Sequence, residues 1–118
     1  MSVAAGGLVG AAARSLIEFW LPSSRGMFPT MVLAVNVSGS FLLGLYLSRR
    51  ERSAGGPWSL QFWAIGVLGS FTTFSAFSLE VVHLLAEGHS GTAAGYVAAS
   101  VLGGIFAAAV GQRIGRLA

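Results

Sequence analysis

Four long apolar stretches, at residues 3–20, 31–47, 58–85 and 92–112, take up most of this chain and leave only short turns between them. Each is close to the roughly 20 residues that a helix needs to cross the hydrocarbon of a bilayer. The turns carry the breaker chemistry: Leu21-Pro22-Ser23-Ser24-Arg25-Gly26, Gly55-Gly56-Pro57 and Glu87-Gly88-His89-Ser90-Gly91. A chain of 118 residues built this way has room for one domain and no separate soluble module. The expected fold is all-α, with four transmembrane helices, and the bilayer itself as the main partner. Composition agrees, because only 9% of residues are charged and the mean hydropathy is +0.75, where a soluble domain is about one-quarter charged.

Several function classes drop out at this stage. All seven basic residues are Arg and the formal charge is only +3. No basic patch interleaved with aromatics is present, so nucleic acid is not an expected partner. Cysteine is absent, which removes disulfides and thiolate metal sites. His83 and His89 are too isolated to suggest a metal site, and no catalytic Ser/His/Asp set or ATP motif is found, so an enzyme is not expected. The first apolar stretch has no basic region before it and is interrupted by Arg14, unlike a cleaved signal.

The third stretch is the longest and the strangest. Its run Gly69-Ser70-Phe71-Thr72-Thr73-Phe74-Ser75-Ala76-Phe77-Ser78 holds five hydroxyl side chains in an otherwise apolar setting. Polar groups at membrane depth need internal partners, water or a bound ion. Gly69 at the head of the run is where the helix is expected to unwind and free backbone carbonyls, which can coordinate a cation such as Na⁺. Phe74 and Phe77 fall on one helical face, and the positive edges of two rings could contact a small anion. The competing reading has core rings and hydroxyls bonded back to their own helix.

Other polar residues inside the spans are candidates too. Arg14 costs roughly 2.5 kcal/mol or more at the centre of a span, so a wet vestibule is expected around it, with snorkelling as the alternative. Asn36 lies midway along the second span near Ser38 and Ser40; its amide donors suit an anion or, equally, a helix–helix hydrogen bond. Tyr96 and Ser100, one turn apart, place two hydroxyls on one face of the fourth span. Small residues in Gly6-Gly7-Leu8-Val9-Gly10-Ala11 and at Gly103, Ala107 and Gly111 predict close helix packing. Four short helices still enclose little volume, so a transport path calls for a second copy. Five Arg residues (Arg49, Arg50, Arg52, Arg113, Arg116) flank the side shared by both termini, against Arg25 alone on the other. That bias predicts cytoplasmic termini in the inner membrane.

Three stretches carry a resemblance: residues 6–14, GGLVGAAAR; residues 35–44, VNVSGSFLLG; and residues 66–78, GVLGSFTTFSAFS. In order and spacing, over essentially the whole chain, they resemble the Fluc/CrcB fluoride channels. The resemblance implies an antiparallel dimer with two pores, a third helix broken near its middle, and a structural Na⁺ at the dimer interface. It assigns the carbonyls of Gly69 and Thr72 to that ion, and Asn36, Phe74, Phe77, Tyr96 and Ser100 to the fluoride path. Ser75 joins them as a candidate pore residue, and Arg14 is placed in the vestibule. Glu80 lies where the family motif continues, with no physical role assigned. Ser15 stands where the family often has an aromatic. The Arg bias is strong for a homodimer of opposed copies, so the partner is a second copy or an inverted homologue. The implied function is passive export of cytoplasmic fluoride. The alternative is a small four-helix proton-coupled multidrug exporter, which would require an embedded carboxylate; Glu18, close to the end of the first span, is the one candidate there.

Overall fold

A computed structural model describes residues 1–21, 27–53 and 55–118. Helix α1 spans Ser2–Trp20 and α2 spans Thr30–Arg50. The third segment, Pro57–Ala86, consists of two half-helices: α3 over residues 57–71 and α4 over Phe74–Ala86. Helix α5 runs over Ser90–Leu117. The first turn expected from sequence, with Arg25, falls at residues 22–26, outside the described residues. Pro57 starts α3 at its first turn, where a missing N–H costs nothing. Gly88, with φ of 81°, closes α4 in the left-handed conformation that glycine adopts freely.

The protein is thus all-helical, and among the described residues three segments are long and apolar enough to cross a membrane: α2, Pro57–Ala86 and α5. Helix α1 stands outside that set, in contrast to the four spans read from sequence, because Arg14 and Glu18 interrupt its last two turns. Only 6% to 22% of the three spanning windows is buried within the chain. Leu8, Phe19, Leu102, Ile105 and Phe106 are among many large apolar side chains left exposed. Such a surface is stable against lipid tails, not water. The buried core is small: Val32, Leu84, Ala93 and Tyr96, flanked by Phe77 and Val81.

Two parallel helix pairs build the bundle, each held by backbone pressed on glycine. Gly6 lies against Phe62 and Gly66 and Gly10 against Val67, so α1 runs along α3 in the same direction. Gly104 lies near Ser40, Gly44 meets Ala108 and Gly115 meets Ser48, so α2 runs along α5 likewise, with Gly111 pressed on the Phe41 carbonyl. A Cβ at Gly10 or Gly111 would collide with a carbonyl oxygen, which cannot swing away as a flexible side chain could. This is the close approach that membrane helices use in place of a hydrophobic drive. Hydrogen bonds from Ser2 to Gln61 (2.8 Å) and Tyr46 to Ser59 (3.2 Å) tie the start of α3 to the start of α1 and the end of α2. With Gly115 against Ser48, Arg49, Arg50, Arg52, Arg113 and Arg116 therefore gather at one end of the bundle. The molecule measures 51 × 29 × 20 Å. Its thinnest dimension is about two helix diameters, which leaves no space for an enclosed pore in a single chain.

The sequence reading places the start of unwinding at Gly69. Instead Gly69 is helical (φ −64°, ψ −31°), and the chain becomes extended at Thr72 (ψ 156°) and Thr73 (φ −146°, ψ 113°). Glycine tolerates unwinding but does not compel it; here two threonines, whose β-branched side chains accept extended backbone, take the break. Upstream, Leu60–Leu68 is wound as a π-helix, with hydrogen bonds five residues apart. No feature of the sequence announces it.

Candidate functional site

The interruption is held from inside and from two neighbouring helices. Thr73 caps α4: its side chain accepts from the Ala76 N–H at 3.1 Å and lies 3.1 Å from the Ser75 hydroxyl. Threonine at this position satisfies one of the orphan donors that every helix start leaves. Across the gap, α2 supplies Asn36. Its Oδ1 accepts from the Thr73 N–H at 2.8 Å and its Nδ2 donates to the Thr73 carbonyl at 3.1 Å. The amide thus replaces the helical acceptor that the Thr73 N–H has lost, and adds a donor to the Thr73 carbonyl, which as the N-cap carbonyl also accepts the first bond of α4. Gly39, one turn along α2, allows this approach, since a Cβ there would overlap the Thr72 methyl.

From the other side comes α1. The Ser70 hydroxyl has one proton and three carbonyls in range: Gly66 at 2.8 Å, Gly7 at 2.9 Å and Val67 at 3.2 Å. Arg14 donates from Nε to the Ser70 carbonyl at 3.3 Å and from Nη1 to Glu18 at 3.0 Å. Arg14 is thus bound to the break rather than extended to an interface.

These bonds decide which carbonyls are left over. In an uninterrupted helix the Gly69 carbonyl would accept from the Thr73 N–H, but that proton goes to Asn36. The Thr72 carbonyl sits in extended backbone between the half-helices. Both residues line a cleft of about 360 Å³ that also contains Asn36, Phe74, Phe77 and Ser100. Carbonyl oxygens without their helical donors, beside a cavity, are a chemically suitable half-site for a hard cation such as Na⁺. Groups of three or more His, Cys, Asp or Glu side chains that could hold a metal do not occur among the described residues.

The aromatic residues form a continuous chain. The Phe74 and Phe77 ring centroids are 5.7 Å apart, and Phe77 lies 5.3 Å from Tyr96. Phe28, just before α2, meets Tyr96 edge-on at 5.6 Å. Tyr96 is fully buried, whereas Phe74 is 80% exposed on the single chain. The Tyr96 hydroxyl and the Ser100 hydroxyl are both buried beside each other and bond to no further group among the described residues. Buried polar groups are nearly always paired, and two hydroxyls with only each other leave at least one proton without an acceptor, which calls for an explanation.

Most of the residues singled out from sequence are therefore brought together: Asn36, Gly69, Thr72, Phe74, Phe77 and Ser100 around one cleft, with Tyr96 against Phe77. Arg14 stands across the break on the α1 side. Ser75 is exposed at the start of α4 and its hydroxyl faces Thr73 rather than the cleft lining. Thr72 and Ser78 bond back to their own helices, to Leu68 at 3.1 Å and Phe74 at 2.9 Å. Sequence reasoning missed Ser70 as the fastener to α1, Thr73 as the cap and Phe28 as a further ring. A hydroxyl immediately before a helix start was a usable signal for Thr73 alone.

Residues 1–112 match the family described as CrcB-like protein, Camphor Resistance (CrcB). A Fluoride-specific ion channel FluC from Agrobacterium fabrum is 40% identical, over 97% of this chain and 93% of its own length. Another of that name from Deinococcus radiodurans is 44% identical, over 96% and 91%. Fluoride-specific ion channel FluC 3 of Streptomyces avermitilis is 39% identical across 99% of this chain, which spans 58% of that protein's length. With a helix break clamped by Asn36, a buried hydroxyl pair beside it and these relatives along nearly its whole length, the chain belongs to the CrcB-like family.

Proposed function

We infer that this protein is a fluoride-selective channel that lets cytoplasmic fluoride leave the cell passively. The observation that carries the reading is the pair of buried hydroxyls of Tyr96 and Ser100, with no partner beyond each other among the described residues, beside the Phe74–Phe77 ring pair and the Asn36 clamp. Fluoride is a small anion and a strong hydrogen-bond acceptor. It is well served by hydroxyl donors and positive ring edges. A full charge would hold it too tightly for release. Arg14, whose charge is engaged by Glu18 and Ser70, suits a supporting place beside the path. Fluoride enters acid-stressed cells as neutral HF, ionises in a neutral cytoplasm and is trapped; a negative-inside potential then drives the anion outward.

The working unit is an antiparallel dimer. Support comes from the 20 Å thickness of the single chain and from the exposed Phe74, which needs cover. A partner related by a two-fold axis in the membrane plane brings two breaks together. The Gly69 and Thr72 carbonyls of both chains then supply four hard oxygens to a structural Na⁺. The five-to-one Arg distribution favours cytoplasmic termini in the inner membrane. The opposed chain is an inverted homologue or a second copy inserted against that bias. A proton-coupled exporter fits less well, because Glu18 is paired with Arg14 at 3.0 Å instead of standing free to exchange protons.

Reconstitution in liposomes tests this reading. Fluoride should leave rapidly down its gradient, while chloride stays at the protein-free rate; equal rates for both ions would refute selectivity.

A further inference from the structure

The α1 side of the break contains a device that the fluoride path itself does not require. Where α3 stops, the Ser70 carbonyl loses its helical donor, the Phe74 N–H, because Thr72 and Thr73 are extended. In an apolar surrounding such an orphan carbonyl is costly. Arg14 Nε meets it at 3.3 Å, from a residue fifty-six positions earlier. One turn further along α1, Glu18 takes Arg14 Nη1 at 3.0 Å, and the pair is only partly exposed, at 28% and 39%. A guanidinium presents donors in a rigid planar fork, so fixing one edge on Glu18 fixes where the other edge points.

We propose that Arg14, oriented by Glu18, is a positioning residue that clamps the end of α3 by capping the Ser70 carbonyl and so sets the place of the break. Resting on the fluoride-channel reading, this deepens it: the clamp holds α3 in the position from which Gly69 and Thr72 turn their carbonyls to the cleft while Asn36 holds Thr73 from the opposite side. Glu18 has a second effect, since its carboxylate offsets the Arg14 charge close to an anion path. Neither residue touches the anion in this account.

A local spectroscopic signature separates a clamp from general support of the fold. Serine precedes phenylalanine only at Ser40–Phe41 and Ser70–Phe71 in this sequence. Protein labelled with 13C-carbonyl serine and 15N-phenylalanine therefore gives two carbonyl–nitrogen correlations, with Ser40 as the internal reference. In Arg14→Gln the Ser70 carbonyl signal should move upfield while Ser40 stays in place, and fluoride efflux should fall about tenfold, as expected for one lost charged hydrogen bond. Glu18→Gln should move the Ser70 signal part of the way. Arg14→Lys, which keeps a charged donor, should restore most of the signal position and the efflux. The proposal is overturned if the Ser70 signal in Arg14→Gln stays at its wild-type position. It is equally overturned if Ser40 and Ser70 shift together, which would make Arg14 a general packing residue. Absence of fluoride efflux from the wild-type protein would refute the channel reading and leave the carbonyl signal to decide the clamp.

Discussion

The two sides of the helix break are built on opposite principles. Towards α1, polar groups are satisfied: the Ser70 hydroxyl reaches Gly7, and Arg14 reaches both the Ser70 carbonyl and Glu18. Glycine backbones press closely together there. Towards α5, the hydroxyls of Tyr96 and Ser100 are buried with no partner beyond each other among the described residues, and Phe74 and Phe77 line an open cleft. A satisfied polar network holds structure, because its members have no bonding capacity to offer. An unsatisfied one is costly for the fold and is retained where a ligand supplies the missing partner. Asn36 lies between the two regimes: its oxygen and one N–H hold Thr73, and its second N–H has no acceptor among the described residues.

The sharpest way to break this contrast is at Asn36. Asn36→Asp keeps an acceptor for the Thr73 N–H but removes the donor to the Thr73 carbonyl and adds negative charge at the cleft. Fluoride efflux should fall by about 100-fold or more, since a charged group left unpaired costs well above a neutral hydrogen bond. Asn36→Ser retains a donor but is too short to bridge both Thr73 groups, so its loss should be smaller. Near wild-type efflux in both variants would mean that the clamp has no bearing on conduction.

Next come the rings. Phe74→Ile and Phe77→Ile keep much of the volume but remove the positive ring edges, and each should slow efflux about tenfold if those contacts are worth ordinary aromatic energies. The assembly should stay intact by cross-linking. Wild-type rates in both would take the aromatic edge out of the mechanism.

The legibility of the molecule follows the same division. Four apolar stretches, the Gly-rich faces and the hydroxyl run stand out because they are local patterns with a single physical cause, the bilayer. The position of the break does not, because it depends on Asn36 reaching Thr73 across thirty-seven residues, and local propensity alone favours Gly69. Arg14 was visible as an anomaly in a span, but its partners were not: the Ser70 carbonyl is a backbone group with no signature of its own. The π-helical winding of Leu60–Leu68 leaves no trace in residue types. Tyr96 and Ser100 were legible as a shared face, and only the packing reveals that their hydroxyls lack partners beyond each other.

A smaller effect is expected from the leftover carbonyls. Protein purified in Na⁺ and passed into Na⁺-free buffer should retain about one Na⁺ for every two chains by elemental analysis, since four carbonyl oxygens in a buried site release a hard cation slowly. A ratio near zero would leave the Gly69 and Thr72 carbonyls without an ion to hold. Smaller still for conduction, and confined to stability, is Gly111→Ala. The added Cβ meets the Phe41 carbonyl, and overpacking of this kind costs about 1–3 kcal/mol. Thermal unfolding should show that loss while efflux per folded protein stays unchanged.

The most direct test of the contrast removes the buried hydroxyl pair itself. Fluoride efflux from liposomes containing the Tyr96→Phe, Ser100→Ala double variant should drop by about tenfold or more, as two anion-directed donors are lost. Stability should hold or rise, because a buried hydroxyl pair with an unused proton is gone. Wild-type efflux from a correctly assembled double variant would contradict the account, and would show that these hydroxyls are not where the anion finds its partners.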